Sequence, residues 1–148
     1  MSQQFIFPNY SFRTKSTSRG TEIWDEARRK WILLTPEELV RQHMVRYLIE
    51  GLGYPLGRIA VEYTLKVVGL TMRADIIVFD AEGRPFMLVE CKAPQIPISQ
   101  ATFDQAARYN LTLVVPYLVV TNGMEIFAAE IFIEQKKWEF LKEIPFSK

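Results

Sequence analysis

The sequence predicts an α/β domain, a sheet covered on both faces by helices. Two patterns carry that reading. Helical and strand periodicities follow one another in the order helix, three strands, helix, two strands, and the strand segments are near-continuous apolar runs. Strands covered on both faces read that way, whereas a half-exposed strand alternates. The 148 residues suit one domain with a real core.

Residues 1–20 are rich in Ser, Thr, Gln and Asn and read as an arm, ordered where Phe5, Phe7 and Phe12 dock. In "EIWDEARRKWILL", Ile23-Trp24 and Trp31–Leu34 flank a charged turn and suggest a short hairpin, so residues 1–34 are read as arm plus hairpin. The first helix opens at Thr35, a good N-cap, with Pro36 at the first helical position and Glu37 and Glu38 in the first turn. Leu39, Val40, Met44, Tyr47 and Leu48 recur at helical spacing, and Gly51, Gly53 and Pro55 stop the helix.

"RIAVEYTLKV" reads as the first strand; "TMRADIIVFD" and "PFMLVECKA" form a hairpin over the loop 81–84. "SQATFDQAARYNLTLV" is the second helix, capped by Ser99, and "PYLVVTNGMEIFAAEI" splits into two strands at Asn122-Gly123. The core is read as 35–130, with 131–148 as a docking segment or helix.

Composition narrows the function classes. The net charge of +1 rules out a broadly basic coat for nucleic acid but permits a local basic groove. The N-terminal third leans basic, through residues such as Arg13, Lys15, Arg28 and Arg41. One cysteine and one histidine exclude an internal disulfide, a thiolate zinc cluster and a histidine-rich metal site. No signal peptide or membrane span is expected, which implies a soluble, cytoplasmic domain.

The chemistry sits in "MLVECKAP", residues 87–94, where an apolar strand meets two charges. Side chains alternate along a strand, so Glu90 and Lys92 share a face and Cys91 takes the other. If the loop is 81–84, Asp80 faces Pro85, Asp75 faces Glu90 and Arg73 faces Lys92. Opposed residues lie roughly 4.5–5.5 Å apart at Cβ, where two carboxylates repel unless a cation lies between them. Mg²⁺, or Mn²⁺ in its place, suits one or two carboxylates with its other positions left to water and phosphate. Lys92, about 6–7 Å along the strand from Glu90, can then stabilise charge developing on phosphorus. This is a phosphodiester-cleaving arrangement.

Asp75, with Glu90-Cys91-Lys92 following after fourteen residues, resembles the PD-(D/E)xK nuclease signature. The ordered pieces "TPEELVRQ", "GYP", "RADIIVFD", "LVECKAP", "QAARYN" and "VVTNG" resemble the N-terminal nuclease domain of type I restriction enzyme R subunits. The resemblance implies a restriction-endonuclease-like three-layer α/β/α sandwich around a mixed sheet, core order αβββαββ. It implies Asp75 and Glu90 as metal ligands, Lys92 as catalytic lysine and Glu38 as an acidic residue joining the site. Gln105 and Tyr109 match its Gln-x-x-x-Tyr motif. Ala74 stands where the signature has proline. R subunits continue into an ATP-driven motor that this chain does not include, so no motor activity is implied.

The expected function is metal-dependent DNA cleavage, with Arg73, Arg41, Gln105 and Tyr109 contacting nucleic acid. Separate helicase or methylase subunits and a homodimer are the expected partners. Plainer readings stand beside these. Glu90 and Lys92 form a solvated ion pair at a strand end, Glu38 complements the helix dipole, and Glu62 competes as third carboxylate. Arg73 orients Asp75 or contacts phosphate. Gln105 and Tyr109 pack the helix, Cys91 is a buried apolar residue, and His43 lies on a polar helix face. Two other functions also fit: a non-catalytic nucleic-acid or protein-interaction module on the same fold, and a structure-specific RNA nuclease.

Overall fold

A computed structural model describes residues 4–67 and 69–147; residues 1–3 of the expected arm and Lys148 of the docking segment fall outside them. Strands β1 (Thr14–Thr17), β2 (Gly20–Asp25) and β3 (Lys30–Leu33) form a small antiparallel sheet. Helix α1 (Pro36–Arg46) runs into a π-helical turn, Tyr47–Gly51. Strands β4 (Ile59–Val67), β5 (Leu70–Phe79) and β6 (Pro85–Cys91) lead to helix α2 (Gln100–Leu113). Strands β7 (Tyr117–Thr121), β8 (Ile126–Phe132) and β9 (Lys137–Leu141) complete the chain. The larger sheet has the order β4-β5-β6-β7-β8-β9. It is mixed because β6 and β7 are parallel, joined across α2.

Local chemistry starts both helices as expected. The Thr35 side chain accepts from the Glu38 N–H and that of Ser99 from the Thr102 N–H, each satisfying an orphan donor of the first turn. Two apolar clusters then lie on opposite faces of the sheet. Val40, Met44 and Leu48 of α1 pack with Ile76, Val78, Met87 and Val89. Phe103, Ala106 and Ala107 of α2 pack with Ile77, Leu88 and Leu118. From Ile76 to Val78 in β5 and Met87 to Val89 in β6, alternate residues therefore feed different cores, and every one of these positions is apolar.

The turn at Asn122 is held by its side chain, which accepts from the N–H groups of Met124 and Glu125. Gly123 sits at φ +86°, and a Cβ there would lie 2.9 Å from the Phe5 ring. Glycine is thus required for backbone conformation and for the seat of the N-terminal arm.

Several expectations change. Residues 14–17 are not arm but an edge strand, because the backbone of β2 needs partners on both sides. The tail is not helical: "KWEFL" pairs with β8, and the following segment docks through buried Ile144 and the Tyr54 hydroxyl donating to the Pro145 carbonyl. His43 is not on a polar face; Phe5 and Phe12 ring centroids lie 4.8 Å from its imidazole. The β5–β6 hairpin carries a bulge, with Phe79 rather than Asp80 opposite Pro85 and Phe86 as the extra residue. Beyond Val78↔Met87 the expected register resumes.

Candidate functional site

That register brings the charges together. The last paired residues of β5 and β6 are Ile76 and Val89, the chain neighbours of Asp75 and Glu90. The step to Asp75 falls at an irregularity in the β4–β5 pairing. Val61↔Ile76 and Tyr63↔Ala74 are paired, but Glu62, between them, adopts φ +51°. A non-glycine residue held there is strained, and the surrounding structure must over-determine it. Side-chain alternation breaks at the same place: Ala74 packs with the α2 cluster and Ile76 with the α1 cluster, although equal parity would put them on one face.

This distortion frees Asp75 to face α1. Its Oδ1 lies 3.2 Å from Arg41 Nη2, and its Oδ2 accepts from the Cys91 N–H at 2.8 Å. Glu90 shares parity with Leu88, and its Oε1 lies 3.1 Å from Lys92 Nζ. Asp75 and Glu90 line one hollow of about 150 Å³, together with Arg73, Ala106 and Tyr109. A larger hollow, about 690 Å³ beside Tyr10 and His43, has no carboxylate among its lining residues. Chemistry rather than size marks the smaller one.

The expected site residues fall into two groups. Asp75, Glu90, Arg73 and Tyr109 meet at the hollow, with Lys92 beside them on Glu90. The Arg73 guanidinium pairs with Glu62 at 2.7 Å. Gln105 is exposed on α2 and does not line the hollow. Glu38 and Arg41 are both 4% exposed and lie behind Asp75. The two Glu38 oxygens accept from Arg28, Arg41 and the Gln42 amide. Arg41 reaches Glu37, Glu38, Glu62 and Asp75, so its guanidinium is turned into the protein among acids and away from any surface phosphate. Among the described residues its Nε is buried without a partner.

The network extends to Asp25, which is buried and bonds Arg28 in the β2–β3 turn. It was not expected from the sequence. Its available signal was helical and turn spacing: Asp25 with Arg28, and Glu38 with Arg41, are each three residues apart.

Electrostatics follow from these contacts. Burial acts to lower the Lys92 ammonium, but the Glu90 carboxylate and more distant Asp75 hold it above its ordinary value. Burial and then Asp75 push the Glu37 carboxyl up. Burial pushes the Cys91 thiol well up, so it is inert inside the core, as its strand parity implied. Three guanidinium groups (Arg28, Arg41, Arg73) face five carboxylates (Asp25, Glu37, Glu38, Glu62, Asp75), leaving excess negative charge.

A hard cation fits this donor set in charge and chemistry. Each Asp75 oxygen has one protein donor and a second lone pair, and Lys92 engages only one oxygen of Glu90. Among the described residues, however, no three Asp, Glu, His or Cys side chains converge as a ready-made metal cage.

Residues 36–145 match the family model described as type I restriction enzyme R protein N terminus (HSDR_N). The chain belongs to this family. Among solved structures, this R-protein N-terminal domain is similar to a fragment structure assigned to an HsdR subunit of a type I restriction enzyme from Vibrio vulnificus YJ016. The identity is 22%, the TM-score 0.54, and the similarity covers 76% of this chain and 24% of that one. At that identity the likeness is one of fold. The R-protein N-terminal domain spans about a quarter of that structure's length. No curated protein matches the chain. No helix among the described residues is long and apolar enough to cross a membrane.

Proposed function

We propose that the domain is a metal-dependent nuclease of the PD-(D/E)xK type on a restriction-endonuclease-like three-layer α/β/α sandwich, hydrolysing phosphodiester bonds in DNA. The observation that carries this is that Asp75 and Glu90 line one hollow, with Lys92 paired to Glu90 beside them. Asp75 and Glu90 would hold Mg²⁺ or Mn²⁺. When bound, such an ion supplies Lewis-acid activation of water and offsets charge on the phosphoryl oxygens.

The chain's own residues do the rest. Lys92, kept protonated by Glu90, offers a fixed positive charge to the oxygen that becomes anionic as the bond breaks. Arg41 and the Cys91 N–H fix the Asp75 carboxylate in one orientation. Glu38 acts on the site through Arg41. Tyr109 and exposed Arg73, at the rim of the hollow, approach the phosphate backbone of the substrate. Such contacts are sequence-blind and weaken with salt. The motor and modification steps of a restriction system would fall to partner subunits.

Plasmid nicking with Mg²⁺ tests the reading beside Asp75→Ala and Lys92→Ala. Cleavage by the native chain and loss in both variants is the expected result. Cleavage that survives both substitutions, or none on any DNA or RNA substrate, overturns it. One observation favours a second reading, a non-catalytic binding module: Arg41 already supplies a cation to Asp75.

A further inference from the structure

We infer that the outer face of the β1–β2–β3 sheet is a binding platform for single-stranded nucleic acid. Its residues form rows across the strands. The Trp24 N–H donates to the Arg13 carbonyl and Trp24 pairs with Trp31, so Arg13, Trp24 and Trp31 lie side by side. In the next row Lys15 faces Glu22, which faces Leu33. The opposite parity belongs to Ile23, which is fully buried, and to Asp25, bonded beneath the sheet to Arg28.

A small sheet that needed only solubility on this face would carry polar side chains there. Instead two tryptophans meet edge to face, ring centroids 5.6 Å apart. The Arg13 guanidinium lies 5.5 and 5.2 Å from their centroids and the Lys15 ammonium 4.3 Å from Trp31. Arg13 and Lys15 are exposed, and the acid of this face, Glu22, is buried and neutralised by Arg19 at 2.7 Å. Cations to track a phosphate backbone, interleaved with flat surfaces on which bases stack, are what sequence-tolerant single-strand binding requires. A duplex keeps its base faces stacked on one another, so it cannot use the tryptophans.

The test uses the full chain carrying Trp138→Phe, so that emission reports Trp24 and Trp31, titrated with a thymidine 12-mer in EDTA. Saturable quenching is expected. Arg13→Ala with Lys15→Ala weakens binding about tenfold and lowers the salt slope of log K by about 1.4, or ~0.7 per lost phosphate contact. Trp31→Phe, which keeps a packed ring, retains most of the affinity. Absence of quenching overturns the inference. So does equal competition by duplex of the same length, or wild-type affinity in the Arg13/Lys15 variant. Asp75→Ala keeps the quench, which separates this platform from the cleavage proposed above: either can fail while the other stands.

Discussion

The Arg41 guanidinium bonds the Asp75 carboxylate from behind, Nη2 to Oδ1 at 3.2 Å, while it also reaches Glu37, Glu38 and Glu62. A buried cation shared by four acids is the keystone of this corner of the fold. Burial acts to lower its proton affinity, but Glu38 and Asp75 raise it further, so it stays charged. Arg41→Met removes the cation and leaves buried Glu38 and its neighbours in mutual repulsion. A loss of about 3 kcal/mol is expected in urea unfolding. Arg41→Lys recovers only part of it, because an ammonium cannot fork to several carboxylates.

Glu38 and Asp75 are both carboxylates near the hollow but differ in what remains free. Glu38 has both oxygens taken by Arg28, Arg41 and Gln42, whereas each Asp75 oxygen accepts one bond and keeps a second lone pair. Single-turnover nicking at a temperature where each variant is folded separates them. Glu38→Gln is expected to lose roughly tenfold, the scale of an outer-shell change. Asp75→Asn forfeits several kcal/mol of Lewis-acid stabilisation. At about 1.4 kcal/mol per decade that is on the order of a thousandfold.

The charge of Lys92 predicts a pH profile. Its folded-state value is raised above 10.5, so its favourable pairing with Glu90 is fully present below 10.5 and is lost as pH rises through the folded value. Nicking rates measured from pH 7 to 9 should therefore show no step from this lysine. Lys92→Arg should retain far more activity than Lys92→Ala. A Lys92-dependent step within that range would mean that the lysine gives up its proton as a base.

His43 gives the opposite pH signature. Burial among Phe5, Phe7 and Phe12, with Arg46 nearby, lowers its pKa against the pull of the Leu39 carbonyl. The unfolded chain then binds more protons between the depressed folded value and the ordinary 6.5, so stability falls as pH drops through that window. Urea midpoints at pH 7.5 and 5.5 should differ more for the native chain than for His43→Phe. Equal differences would place the acid sensitivity elsewhere.

Much of the candidate site was readable because its logic is local. Thr35 and Ser99 announce the helices by capping, and Asp75 and Glu90 line one hollow because they lie at corresponding ends of one hairpin. The bulge at Phe86 shows how narrow that inference was. The extra residue sits at the base of the turn, and Val78↔Met87 restores the pairing before the charges are reached. The aromatic surroundings of His43 were not readable, since Phe5 and Phe12 approach it from more than thirty positions away in the chain.

By itself, then, the sequence determined the element order of the core, the caps and the β5–β6 register from Val78↔Met87 to Ile76↔Val89, all set by neighbours within a few residues or one hairpin. Only the tertiary structure decided which way the charges beyond that register face. Beside the kink at Glu62, Asp75 faces α1, and burial of that helix's inner face commits its Arg41 and Glu38 to each other rather than to a ligand. It also made strands of residues 14–17 and 137–141, where an open sheet edge outweighs weak local preference. Those outcomes depend on which groups lose water together, and that is a property of packing between distant segments.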